Sequence, residues 1–298
     1  HCRWSDLIHI CYNFVHHNQP TPRDPWTGAN GIFLEVTKDA LVHDNLLLDN
    51  EGSGIVVAES DNIAIFNNTI AGTRGSSAIG ARCDMRRLEY SPLTAGYPDV
   101  NQWLTFTNNQ VVNNLVYDNH CQYDFTWPTD CAATDNWIHA NSSDHNLFYR
   151  RDGTAVWHTA LGGGVFSNLA AFTAATGYDS NSLTLNPRLA SAIGGDFRPA
   201  FDSPCVDAGT NAPWMTQAQD YAGTNRILFG GVDIGCYEFN GSAAALAPAV
   251  TVTSAVGTVS YDVTGVQGIN NGNVVGAMWA VVMAGGAGST VGVTRLEQ

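Results

Sequence analysis

A chain of 298 residues with 13 Lys and Arg against 27 Asp and Glu, a formal net charge of −14, argues against nucleic acid and anionic membrane surfaces as partners, because both need clustered cations. Charged residues make up only 13% of the chain and Lys38 is its single lysine, so solubility rests on Asn, Ser, Thr and Asp. Seven cysteines in such a chain read as disulfide-forming, with one thiol left over, and as the mark of an extracellular or cell-surface protein.

From its first residues the chain is periodic. An Asn-x-apolar step recurs at Asn13, Asn45, Asn68, Asn114 and Asn136, with gaps of about 23 residues or twice that, a spacing that marks a solenoid. Short apolar runs opening on a small residue keep the same phase at 31–36, 54–59 and 77–82, their starts one such period apart. One rung is skipped, and the run 122–127 lands where the count places the next. Each unit holds two or three runs of Val, Ile, Leu and Phe between clusters of Asn, Asp, Gly and Ser, which are strand and turn signals. A unit this short has no room for the helix of a parallel crossover, so successive units stack strand on strand. The expectation is an all-β solenoid, a parallel β-helix. Its asparagines recur because their amides bond neighbouring backbone and the Asn one rung above, and tolerate left-handed turns.

The first rung carries an insertion at 18–28, expected to protrude as a loop, and a longer excursion at 83–101 is expected to fill the skipped rung. Loops on one side of a solenoid build binding faces. Trp26, Tyr90, Tyr97, Trp103, Tyr123, Trp127 and Trp137 lie on or beside these insertions. Exposed rings stack on sugar faces, which makes Trp26, Tyr97, Trp103 and Trp127 candidate glycan contacts. Residues 1–150 thus form the coils, and 151–240 lose the period and read as an irregular closing segment with a short helix near 169–175. A linker follows at 241–248, then a small β-rich appendage at 249–298 suited to assembly or anchoring. Within it, 274–293 carries no charge and is long enough to span a bilayer, although its glycine content and the alternating pattern before it favour buried strands.

Aligning the apolar runs stacks Val36, Glu59 and Arg82 in one column and Lys38, Asp61 and Asp84 in another, with rungs about 4.8 Å apart. The ordinary role of opposite charges on adjacent rungs is to stabilise the stack, as cross-strand pairs do. His16, His17, His43, His120, His139, His145 and His158 show no zinc-site spacing and read as surface or turn residues. Cys121 and Cys131 bracket one loop and are an expected disulfide; Cys2 with Cys11 is a further pairing that leaves Cys83 free. Asn67, Asn141 and Asn240 open Asn-x-Ser/Thr triplets, the pattern of glycosylation acceptors. The first rung begins within a few residues of the first one given, so its strand edges call for cover by an upstream domain or another copy of the chain.

Asn62-Ile-Ala-Ile-Phe-Asn-Asn-Thr-Ile70, followed by a Gly-apolar strand, resembles the repeat of right-handed parallel β-helix proteins of the pectate-lyase-like superfamily, over roughly residues 4–150. The series Asp144-His-Asn-Leu-Phe-Tyr149, Leu185-Asn-Pro-Arg-Leu189, Asp202-Ser-Pro-Cys-Val-Asp-Ala-Gly209, Asp220-Tyr-Ala-Gly-Thr-Asn-Arg226 and Gly231-Val-Asp-Ile-Gly-Cys-Tyr-Glu238 resembles the closing segment of secreted bacterial β-helix proteins, including surface-anchored ones. The first resemblance implies proton abstraction beside a uronic acid carboxylate, with Lys38 or Arg82 as base and Glu59, Asp61 and Asp84 as calcium ligands or acid/base partners. Hydrolysis would instead pair Asp61 with Asp84, although the glycosidase mark of paired Asp with a Gly-His-Gly step is absent from the chain. The second resemblance implies contact, and a disulfide, between Cys205 and Cys236, which stand where that segment commonly has small apolar residues. The function expected is a structural, self-assembling or glycan-binding surface protein whose partners are polysaccharide or copies of itself. The alternative is a lyase or hydrolase acting on an acidic polysaccharide. Calcium is the one cofactor in view, and membrane contact is expected only through the C-terminal segment.

Overall fold

The computed structural model describes residues 2–21, 29–82, 107–125, 141–159 and 164–241, and the strands at 249–255, 258–264, 269–270, 273–274, 278–282 and 292–296. The chain divides into two units, one made of His1–Pro187 with Ser203–Glu238, the other of Arg188–Asp202 with Phe239–Gln298.

In the first unit, β1 (Cys2–Cys11) and β2 (Phe14–His16) form one rung, and β3 (Ile32–His43) with β4 (Leu46–Leu48) the next. β5 (Ile55–Ala58), β6 (Asp61–Phe66) and β7 (Thr69–Ala71) follow, then β8 (Ser77–Arg82), β9 (Gln110–Val112) and β10 (Leu115–Tyr117). β11 (Cys121–Phe125), β12 (Ser142–Asp144) and β13 (Leu147–Tyr149) make the fifth rung, and β14 (Trp157–Thr159), β15 (Gly164–Phe166) and the helix α1 (Leu169–Thr176) end the run. Three parallel ladders result: β3–β5–β8–β11–β14, β3–β6–β9–β12 and β2–β4–β7–β10–β13, with β1 against β3. β3 serves two ladders because it bends at Val36 and Asp39, both in the left-handed region at φ 53. The fold is all-β and parallel β-helix-like. Alternation along each strand sorts the faces: Ile55 and Val57 join the central apolar cluster, whereas Val56 and Ala58 pack with Phe33 outside it.

The asparagine column is Asn13, Asn45, Asn68, Asn114 and Asn146. Each side-chain amide donates to the carbonyl oxygen of the next, at 2.9, 2.9, 3.0 and 3.1 Å. The residue before each is left-handed: Tyr12, Asp44, Asn67, Asn113 and His145, with φ between 50 and 59. At that turn the asparagine amide also closes onto the carbonyl two residues back, as Asn45 does on His43 and Asn114 on Val112. Two sequence expectations change here. The fifth step is Asn146, while Asn136 lies outside the described residues. No rung is skipped, because Ile79 pairs directly with Tyr123 and Leu115 with Thr69. One rung therefore spans 46 residues, from Asn68 to Asn114, while the excursion at 83–101 expected to fill a skipped rung lies outside the described residues.

Beyond the last rung, α1 lays Phe172 against Tyr123 and Trp157, and Phe148 joins the same buried aromatic cluster. Tyr123 is thus a core residue. Asn168 caps the N-terminus of α1 by accepting from Ala171 N at 2.9 Å, and Gly177 at φ 76 ends it. Residues 203–238 then run back along the turn column: Asn67 and Asn113 donate to the carbonyls of Asp233 and Thr210, each at 2.9 Å, and Cys236 N donates to Thr69 Oγ1 at 3.0 Å. An apolar seam of Phe66, Val112, Met215 and Val232 seals this contact.

In the second unit, β16 (Leu189–Ser191) and β17 (Asp196–Pro199) are antiparallel, as are β18 (Ala249–Ala255) and β19 (Thr258–Thr264). So are β20 (Ile269–Asn270) and β21 (Asn273–Val274), and β22 (Met278–Val282) and β23 (Gly292–Leu296). The uncharged stretch 274–293 contributes strands to these hairpins, and no helix among the described residues is long and apolar enough to cross a membrane.

Candidate metal centre

Strand alternation puts His9 and Cys11 on one face of β1. The pairing of β1 with β3 sets Cys11 opposite His43 and His9 opposite Leu41. The ligand atoms of His9, Cys11 and His43 consequently lie within 4.8 Å of one another, the one such group of three among the described residues. The two imidazoles meet Nε2 to Nε2 at 2.5 Å. His9 is exposed, Cys11 half-buried and His43 buried at 2% exposure. Two aromatic rings flank His43: Tyr12 edge-on at 5.5 Å and Trp214 tilted over it at 4.6 Å.

Behind the site lies a buried charge relay. His43 Nδ1 is 2.6 Å from Asp44 Oδ2, and Asp44 Oδ1 is 3.1 Å from Arg226. Arg226, fully buried, also meets Glu238 Oε1 at 3.2 Å and donates to the carbonyls of Asp233 and Gly235 at 2.9 and 2.5 Å. One guanidinium faces two carboxyl groups. Burial pushes Asp44 upward and Glu238 up to about 9, in each case against the pull of Arg226. Burial, and then the neighbouring His43, holds His9 below its ordinary value, while burial and then Asp44 raise the Cys11 thiol. By occupying Nδ1 of His43, Asp44 orients the ring so that Nε2 faces His9.

Of the residues expected to carry lyase chemistry, Lys38 and Asp61 share the expected column, whereas Arg82 does not stand opposite Glu59. Lys38 is exposed and in register between Asp6 and Asp61, an alternating charge column. Asp61 Oδ1 accepts from Thr107 N at 2.7 Å, so it ties one rung to the next. Glu59 is buried at a left-handed bend, φ 45. Arg82 pairs with Ala58 instead of standing opposite Glu59, because Ile55 meets Ile79 rather than Ala78 and the register slips by one. Among the described residues Glu59 and Asp61 belong to no three-ligand group, and Asp84, the third member of the expected calcium set, lies outside the described residues. So do Trp26, Tyr97, Trp103, Trp127, Cys83 and Cys131.

The expected disulfide between Cys205 and Cys236 is corrected: both are buried and free. Their backbone N–H groups donate to different hydroxyls, Ser203 and Thr69, at 3.1 and 3.0 Å, and burial raises each thiol to about 12. Cys121 is likewise free, its thiol on the carbonyls of Tyr123 and Val156 at 2.9 and 3.4 Å, again raised by burial to about 12. Cys2 and Cys11 sit at opposite ends of β1, both free. Asn67 is fully buried and donates to Asp233, which leaves no room for a glycan. Asn141 accepts from Asn109 N at 2.8 Å, and Asn240 is exposed. Arg74, Arg150, Arg151 and His120 line an open recess, but its arginines already pair with Asp49, Asp152 and Asp118.

In the sequence alone His9 and Cys11 do not stand out as ligands. The signal was present: a His-x-Cys alternation on a strand, and the 32-residue step from Asn13 to Asn45, which also carries Cys11 onto His43. Residues 9–161 match the family model described as "Periplasmic copper-binding protein (NosD)", a stretch that holds His9, Cys11, His43 and Asp44. No curated protein matches the chain. The match supports the β-helix class implied by the resemblance to pectate-lyase-like proteins, without that superfamily's chemistry. Because it covers just over half of the 298 residues, the chain belongs to the NosD family.

Proposed function

We propose that this protein is an extracytoplasmic copper-binding protein built on a right-handed parallel β-helical solenoid, with His9, Cys11 and His43 as the copper ligands. The observation that carries the reading is the convergence of one thiol and two imidazoles within 4.8 Å, beside a carboxylate that orients one of the rings. Copper, when bound, supplies a soft one-electron redox ion, and a thiolate with two imidazoles suits it better than the oxygen-rich set calcium requires. The family description, periplasmic and copper-binding, agrees with this donor set. In this reading Cys11 supplies the charged sulfur, His9 and His43 supply Nε2, and Asp44 keeps the proton of His43 on Nδ1. The coil contributes rigidity, because the ligands sit on adjacent, paired strands.

Anaerobic titration of the reduced full chain with copper(I), in competition with a chromophoric chelator, tests this. One equivalent should bind, and Cys11→Ala and His43→Ala should each weaken binding by roughly 100-fold or more, beyond the range that outer-shell changes produce. Binding no tighter in the wild type than in both variants would overturn the assignment.

A further inference from the structure

We infer that the copper site is completed by the closing segment, with Trp214 as its positioning residue, so that metal occupancy and the order of residues 212–226 are coupled. This rests on the copper reading above.

The His43 ring meets His9 and Tyr12 from the first rung, its neighbour Asp44, and Trp214, which is remote in sequence. Trp214 is held by a short 3-10 turn, Pro213–Gln217. Met215 in that turn is fully buried in the seam with Phe66, Val112 and Val232. The indole also packs edge-on against Phe66 at 6.2 Å, so its position over the imidazole is fixed from behind. Two polar ties attach the same segment to the site's surroundings. Tyr12 Oη donates to Gln219 O at 3.0 Å, and Arg226 reaches Asp44, the carboxylate that orients His43.

The arrangement has a chemical consequence. With the indole 4.6 Å from its ring, His43 is left only 2% exposed, so the aromatic group helps keep water from the imidazole and favours a cation nearby. A ligand that orders His43 biases Trp214 and Asp44, and by linkage the factor by which copper favours the ordered segment equals the factor by which the ordered segment favours copper, which is the most that loosening it can remove. The coil by itself supplies the three donors; the segment holds the buried one in place.

The test compares the full-length wild type with Trp214→Ala, Trp214→Phe and Phe229→Ala, the last an exposed ring of the same segment serving as control. Copper(I) affinity is read by chelator competition, and amide hydrogen exchange is followed over residues 212–226 with and without copper(I). In the wild type, copper should slow exchange there about 10-fold; Trp214→Ala should bind copper about 10-fold more weakly and lose the protection, with Trp214→Phe largely restoring both. Phe229→Ala should match the wild type. If the wild type binds copper but exchange over 212–226 is unchanged and Trp214→Ala binds equally well, the inference falls while the copper site stands. Equal weakening by Phe229→Ala would show general loosening and also overturn it. Failure of the wild type to bind copper(I) at all would instead remove the reading on which it rests.

Discussion

The side chain of Asn68, fully buried, makes five hydrogen bonds within 3.1 Å. Its amide serves the carbonyls of Val42, Phe66 and Asn114, and its oxygen accepts twice from Asn45. No other side chain of similar size offers donors and an acceptor in that disposition, which is why the step repeats. Replacing it strands several buried groups at once, so Asn68→Ala should cost about 2–4 kcal/mol by denaturant midpoint, whereas Asn13→Ala, at the exposed end of the column, should cost less than about 1 kcal/mol. The other end is held by Asp179, which accepts from Asn146, Ser143 and Ser182. Burial raises its carboxyl to about 6 against those hydrogen bonds. The folded state therefore holds a proton that the unfolded chain releases near pH 4, and stability should fall as pH rises from about 4 to 6, by on the order of 3 kcal/mol. Urea midpoints at pH 4.5 and 7 should show this loss, and Asp179→Asn, which keeps Oδ1 as acceptor, should shrink the difference between them.

Among the elements, the runs that open on a small residue have a steric cause. A Cβ on Gly54 would come within 2.4 Å of the Ile70 side chain and 2.6 Å of the Ala78 carbonyl, and one on Gly31 within 2.6 Å of the Gly54 carbonyl. Rungs approach closely at this corner, where Ile32 N bonds Gly54 O and Gly54 N bonds Ser77 O. Gly54→Ala should destabilise the fold by about 1–3 kcal/mol, measured by thermal or chemical unfolding, because the obstructing atoms are a packed side chain and a fixed carbonyl. These elements were legible from the chain because each rung repeats the same local requirement. Register was legible only where no residue is added between rungs. Lys38 against Asp61 followed from the count, while Arg82 was misplaced by one because a single extra residue precedes Ile79. His9 and Cys11 escaped notice because they break no pattern: a His-x-Cys alternation is an ordinary strand until its neighbour strand is known.

For the molecule as a whole, Arg226 joins the closing segment to the coil through Asp44, and to its own segment through Glu238 and two carbonyls. Arg226→Met would leave two buried carboxyl groups without their cation and should cost about 3–5 kcal/mol, read as a lowered thermal midpoint; the companion Glu238→Gln should be milder because it leaves the Asp44–Arg226 pair in place. From the chain alone came the all-β parallel class, the length of the basic rung and the asparagine column, because stacking makes every rung satisfy the same hydrogen bonds and close packing. Only the tertiary structure decided that one rung spans 46 residues, that Cys205 and Cys236 do not pair, and that His9, Cys11, His43 and Trp214 meet. Those contacts join residues that do not repeat, and their meeting depends on how long each insertion is and on where residues 203–238 fold back, neither of which a local period encodes.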